Sequence, residues 1–153
     1  MPDNRDVPRF QPDTGDLYAC GMFAWAGNQT QPGGFYRVRY TGKPADLPVK
    51  IHAKTGAIEL TFSDTIDRES LNLDHFQIKA WDLKRSQNYG SKHINERALV
   101  VTRVTGLENR KTVRLEIPEL APSRGMEIKY QFKGADGRPV SGVIHHTIHQ
   151  LSD

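Results

Sequence analysis

Cysteine is almost missing from this sequence. Cys20 is the only one, which excludes an internal disulfide framework and any C-x-x-C-H haem attachment within the chain. Flanked by Ala19 and Gly21, it is expected to pack as a buried, inert thiol. Long apolar runs are missing too: hydrophobic residues make up 37% and charged residues 25%, and no stretch is suited to crossing a bilayer as a helix. Residues 1–16, MPDNRDVPRFQPDTGD, hold three prolines and no apolar signal-peptide core. They read as an extended arm, and a piece cut from the end of a longer secreted protein would lack a leader in the same way. There is no G-x-S-x-G elbow, no internal repeat and no low-complexity tract, and Thr41-Gly42-Lys43 lacks the glycine spacing and the following Ser or Thr of a phosphate loop. No catalytic residue, resident metal or cofactor is expected, and the chain reads as a non-enzyme.

What the sequence does have is short alternating strands. Ile58, Leu60 and Phe62 alternate with Glu59 and Thr61, and Phe76, Ile78 and Ala80 alternate with Gln77 and Lys79, so the stretch 57–81 predicts two half-buried strands. Further strands are expected at 49–52, 99–104, 112–117, 126–132 and 143–151, the last two joined as a hairpin through Asp136-Gly137. The DRESLNLD segment fits one short helical turn. With 153 residues, a chain buries roughly 68–70% of its unfolded surface and needs no staples. Regular punctuation and little helical pattern predict an all-β, Ig-like antiparallel β-sandwich over 48–153. Residues 17–47 precede it as a β-hairpin, with strands at 17–22 and 35–40 joined by AWAGNQTQPGG. That hairpin is rich in aromatics (Tyr18, Phe23, Trp25, Phe35, Tyr36, Tyr40), more than two strands can bury.

Four stretches carry a resemblance: GDLYACGMFAWAGNQTQPGGFYRVRYTGKP, IELTFSDTIDRESLNLDHFQIKAW, SQNYGSKH and ADGRPVSGVIHHTIHQL. Together they resemble the C-terminal region of large multifunctional secreted, membrane-bound dehydrogenase-type bacterial proteins. Members of that family combine a sorbosone-dehydrogenase-like β-propeller with a haem-binding cytochrome c segment. The resemblance implies that 17–47 is a propeller end followed by the Ig-like sandwich, and that the protein is secreted or periplasmic. It also implies that the partner is the remainder of a larger polypeptide or an extracellular surface. Haem and redox chemistry do not carry over, because their motif is not in this chain.

Two groups of residues invite a functional reading. Between Lys79 and Arg114 stand nine Lys or Arg against three Asp or Glu, with Trp81 and Tyr89 interleaved. Within it, 82–97 reads as a polar excursion longer than an ordinary hairpin loop. Trp81, Lys84, Arg85, Tyr89, Lys92 and His93 are the candidate binding residues, since cations attract phosphate, sulfate or uronate groups and rings stack on bases or sugars. A solvated strand face accounts for Arg103 and Arg114 equally, and Asn88-Tyr89-Gly90-Ser91 has the composition of a plain tight turn. The second group is histidine. His145 and His149 lie on one face of a strand but roughly 13 Å apart, too far to share one zinc ion; His146 faces the other way, and His93 would have to come from the excursion. Asp64 and Asp67 offer two carboxylates to calcium without the rest of a ligand set, and Asn28-Gln29-Thr30 matches a glycosylation acceptor. The leading functional expectation is a non-catalytic accessory or docking module of a larger secreted protein. The alternative is an autonomous module binding a polyanion, an anionic glycan or nucleic acid, through 82–97.

Overall fold

The computed structural model describes residues 9–22, 33–87 and 89–153. It divides into two compact units, Met1–Lys43 and Pro44–Asp153. The linking loop with Phe23, Trp25 and Asn28-Gln29-Thr30 lies outside the described residues, as does Asn88.

In the first unit β1 (Arg9–Phe10), β2 (Leu17–Met22) and β3 (Gly33–Val38) form an antiparallel sheet in that order. Register pairs Tyr18 with Arg37 and Cys20 with Phe35, placing these four on one face, where the Tyr18 and Phe35 rings stack at 5.6 Å. Phe10, Leu17, Ala19, Tyr36 and Val38 share the other face. The described residues of this unit make a single layer, and its large apolar side chains stay in solvent: Phe10 is 72% and Phe35 74% exposed. Cys20 is exposed for the same reason, correcting the expectation of a buried thiol.

The second unit is an antiparallel β-sandwich. Its strands are β4 (Pro48–Lys54), β5 (Ala57–Phe62), β6 (Phe76–Lys84), β7 (Lys92–Leu99), β8 (Arg103–Gly106), β9 (Thr112–Glu116), β10 (Ser123–Lys133) and β11 (Pro139–Ile148). One sheet has the order β4-β5-β9-β8 and the other β11-β10-β6-β7. The chain crosses between the two sheets from β5 to β6, from β7 to β8 and from β9 to β10. Alternation builds the core: Ile58, Leu60, Phe62, Val113 and Leu115 from the first sheet meet Phe76, Ile78, Ile128, Tyr130 and Phe132 from the second. Phe62 ties the two sheets, with its ring edge-on to Tyr130 at 5.3 Å and to Phe132 at 4.8 Å. On the solvent face of the first sheet Glu59, directly across from Arg114, bonds it at 2.9 Å and reaches Lys54 at 3.3 Å. Partial burial pushes the Glu59 carboxyl up, but the bonds from Arg114 and Lys54 outweigh it and hold it below the usual range.

Three details differ from the sequence reading. Residues 82–97 are no loose excursion: β6 runs on to Lys84 and β7 begins at Lys92, leaving a short connection at the tip. The strand expected at 99–104 is instead the crossing between sheets, from Leu99 to Arg103. The single helical turn is two 3-10 turns, Arg68–Ser70 and Leu73–His75, capped by the Asp67 and Asn72 side chains. The hairpin of β10 and β11 forms as expected, with Gly137 at φ 80° in its turn. Edge strand β4 is partly covered by the chain's end. Ser152 bridges Lys54 in parallel, its N–H donates to the Ala53 carbonyl, and its carbonyl accepts from Thr55 N–H.

Because Phe62 is fully buried between two rings, Phe62→Ala is expected to cost about 3–5 kcal/mol. Urea unfolding of the variant checks this; a loss under about 0.5 kcal/mol, the range of surface substitutions, would contradict the assignment of Phe62 as the link between the sheets.

Candidate functional site

The far end of the β6–β7 hairpin is where the basic and aromatic candidates meet. Lys84 stands directly across from Lys92, and Leu83 directly across from His93. Like charges directly opposite on a sheet repel, so this pairing works against the hairpin it belongs to. Lys84, Arg85 and Lys92 are all exposed, and among the described residues no acid pairs with any of them. The nearby acids are engaged: Asp82 accepts from the Asn95 amide at 3.2 Å, and Glu96 lies 3.6 Å from Lys79 and 3.8 Å from His93. Tyr89, at the tip, is fully exposed, beside Gly90 at φ 84°. A left-handed backbone there is what the turn composition predicted.

Trp81 departs from expectation. It is 8% exposed, lying flat over Gly125 on one side and stacked on the His93 ring at 4.5 Å on the other, with Lys79 Nζ 5.7 Å from its ring. A Cβ at position 125 would collide with the indole, so glycine is what lets the ring sit against the sheet. Trp81 is therefore the floor that holds His93, and no open platform for a ligand ring. Pairing with β7 shifts between Ala80 and Asp82, opposite Asn95 at φ 53°, while Trp81 keeps the outer face that alternation with Ile78 and Ala80 gives it. The structure thus brings Lys84, Arg85, Lys92, His93 and Tyr89 to one hairpin end, with the facing lysines on one face and His93 over the withdrawn Trp81 on the other.

The histidines divide. His145 faces Glu127 across the strands at 3.8 Å, and His149 lies beyond the end of β11. His146 is half-buried; that burial, and then the neighbouring His149, hold its imidazole below its ordinary pKa of 6.5. Among the described residues no group of three or more His, Cys, Asp or Glu is placed to hold a metal ion. The two aspartates considered for calcium serve the backbone instead: Asp64 accepts from Ala45 N–H, Asp46 N–H and the Ser63 hydroxyl, and Asp67 caps a turn. Ser152 Oγ lies 2.9 Å from His52 Nε2, with Glu59 4.0 Å from the other ring nitrogen. That line has the order of nucleophile, base and acid, but Glu59 is committed to Arg114 and Lys54, and the serine bond fastens the chain's end to β4.

No family model matches the chain, and no curated protein matches it. Among solved structures, CopC from Methylosinus trichosporium OB3b is similar to it at 19% identity, covering 65% of this chain and 82% of that one with a TM-score of 0.36. A likeness so loose assigns no residue here. Among the described residues no helix is long and apolar enough to cross a membrane.

The His146 environment makes stability pH-dependent. Its folded pKa is depressed, so the unfolded chain takes the proton first, and stability falls as pH drops through 6.5. Replacing it, His146→Gln, should reduce the loss of urea midpoint between pH 7.5 and 5; an unchanged loss would assign the dependence to other groups.

Proposed function

We propose that the chain is a non-catalytic binding module and that the end of the β6–β7 hairpin meets an anionic polymer, a glycan or a nucleic acid. One observation carries this reading: Lys84 opposite Lys92, with Arg85 beside them, all exposed and without an acidic partner among the described residues. Two facing lysines repel when the site is empty and are relieved when an anion sits between them. Tyr89 adds a ring face for a base or a sugar. Its setting, on this reading, is a large secreted or periplasmic protein of the kind the sequence resembles.

A polymer held by these cations releases counterions, so log affinity should fall linearly with log salt. With a heparin-like glycan and a short single-stranded nucleic acid as probes, Lys84→Gln and Lys92→Gln should each lower that slope by about one unit. Lys84→Glu should abolish binding while raising the melting temperature slightly, because it replaces a repulsive cross-strand pair with an attractive one. Salt-independent binding, or affinity indifferent to these variants, would remove the hairpin from consideration.

A second reading, docking onto the remainder of a larger polypeptide or an extracellular surface, is favoured by the apolar face of the small sheet. There Phe10 and Val38 are 72% and 56% exposed, and exposed apolar faces of this kind mark interaction surfaces. If that face is the adhesive one, removing Met1–Lys43 should leave Pro44–Asp153 cooperatively folded and reduce self-association in sedimentation. Self-association unchanged by the truncation would count against docking through this face.

A further inference from the structure

Behind the hairpin, at the start of β10, the sandwich carries a second polar feature. Ser123 is 5% exposed, and its hydroxyl has no hydrogen-bond partner. A buried hydroxyl left unpaired bears its full desolvation cost, so a partner outside the chain is the expected explanation. Ser123 lines a cavity of about 280 Å³ together with Asp82, Pro122, Arg124, Ile148 and His149. The pairing of β10 with β11 shifts between Ser123 and Met126, and the Thr147 hydroxyl bonds the Arg124 carbonyl at 3.0 Å, fixing the backbone that presents the guanidinium. Arg124 forms no ion pair among the described residues. It also lines an adjoining groove of about 460 Å³ with Trp81, Leu83, His93, His145 and Thr147. Leu83 and His93 stand on the strand face opposite Lys84 and Lys92, whereas Asp82 of the cavity shares the lysines' face two residues from Lys84, so it is the cavity that lies nearest the facing lysines.

We propose that Arg124, the Ser123 hydroxyl and His149 form a subsite for one singly charged tetrahedral oxyanion, a phosphodiester or a sulfate monoester. Arg124 offers a planar fork of N–H donors, Ser123 a buried O–H, and His149 a ring donor. Asp82 on the cavity wall opposes the guanidinium's attraction in proportion to ligand charge, so a dianion is repelled about twice as strongly as a monoanion. The inference rests on the polyanion reading of the hairpin and extends it: the polymer would run from the facing lysines to the cavity, with one ester group anchored at Arg124.

The test is an NMR titration of the full chain with dimethyl phosphate and, separately, methyl sulfate, at low salt. The expected result is a saturable shift of the Ser123, Arg124 and His149 amide signals with at least one probe, and the preferred probe tells a nucleic-acid backbone from a sulfated glycan. Arg124→Gln should weaken that binding about tenfold, the scale of one charge-assisted hydrogen bond. Ser123→Ala should weaken it too while leaving the melting temperature equal or higher, because an unpaired buried hydroxyl is gone. Inorganic phosphate at pH 8, a dianion, should bind less well than either monoanion. No saturable shift with either probe, or a shift indifferent to Arg124→Gln, would overturn the subsite. Lys84→Gln separates the two readings: it should spare the small probes and weaken the polymer. If the small probes bind at Arg124 and the polymer ignores Lys84, the hairpin reading fails and the subsite stands.

Discussion

The packing of Phe62 between Tyr130 and Phe132 is the constraint on which the rest of the sandwich depends. It fixes β5 of one sheet over β10 of the other, and β10 is the strand that both β6 and β11 pair with. Once β10 is placed, Gly125 lies opposite Trp81, and the indole has a flat seat. The seat holds His93, and with it the start of β7. A core contact thus reaches the surface through a glycine, a tryptophan and a histidine in series, and a hairpin end that looks peripheral is positioned by the interior.

The two sides of the C-terminal unit treat charge differently. Glu59 on β5 is matched with Arg114 on β9 and Lys54 on β4, and, against partial burial, the bonds from both hold its carboxyl below the usual range. At the end of β6 and β7 the facing residues carry the same sign. A sandwich that pairs its charges on one sheet and opposes them at the end of the other is sacrificing a little stability locally. Such sacrifices are usual where a surface meets something of opposite charge.

Legibility in the sequence followed burial. The alternation of Ile58, Leu60 and Phe62, or of Met126, Ile128, Tyr130 and Phe132, announces a strand because one face is in the core, and these strands stand where the pattern places them. β7 offered no such signal: of Lys92 to Leu99 only Leu99 is buried, so an edge strand wet on both faces reads like a loop. Cys20 was misread because a run of small and apolar residues says nothing about whether a second layer covers the sheet. Trp81 was misread for a subtler reason. Its basic neighbours in sequence suggested a displayed ring, whereas what covers it is a glycine more than forty residues away and a histidine on the next strand. Ser123, Arg124 and His149 could not be found at all from spacing, because a register shift between two strands is what brings them to one cavity.

That cavity bears on how a weak surface site gains selectivity. Exposed lysines on a hairpin end attract any polyanion and discriminate little, because screened point charges carry no geometry. On the proposed reading, a guanidinium lining the same cavity as a desolvated hydroxyl discriminates by shape and direction: a ligand that cannot satisfy the hydroxyl leaves it unpaired, and one carrying a second charge is repelled more by Asp82. On the proposed reading the hairpin and the cavity do different work: the lysines would set the rate of encounter and its sensitivity to salt, and Arg124 with Ser123 would set which ester group stays, so attraction and selectivity would reside in separate residues that substitution can separate.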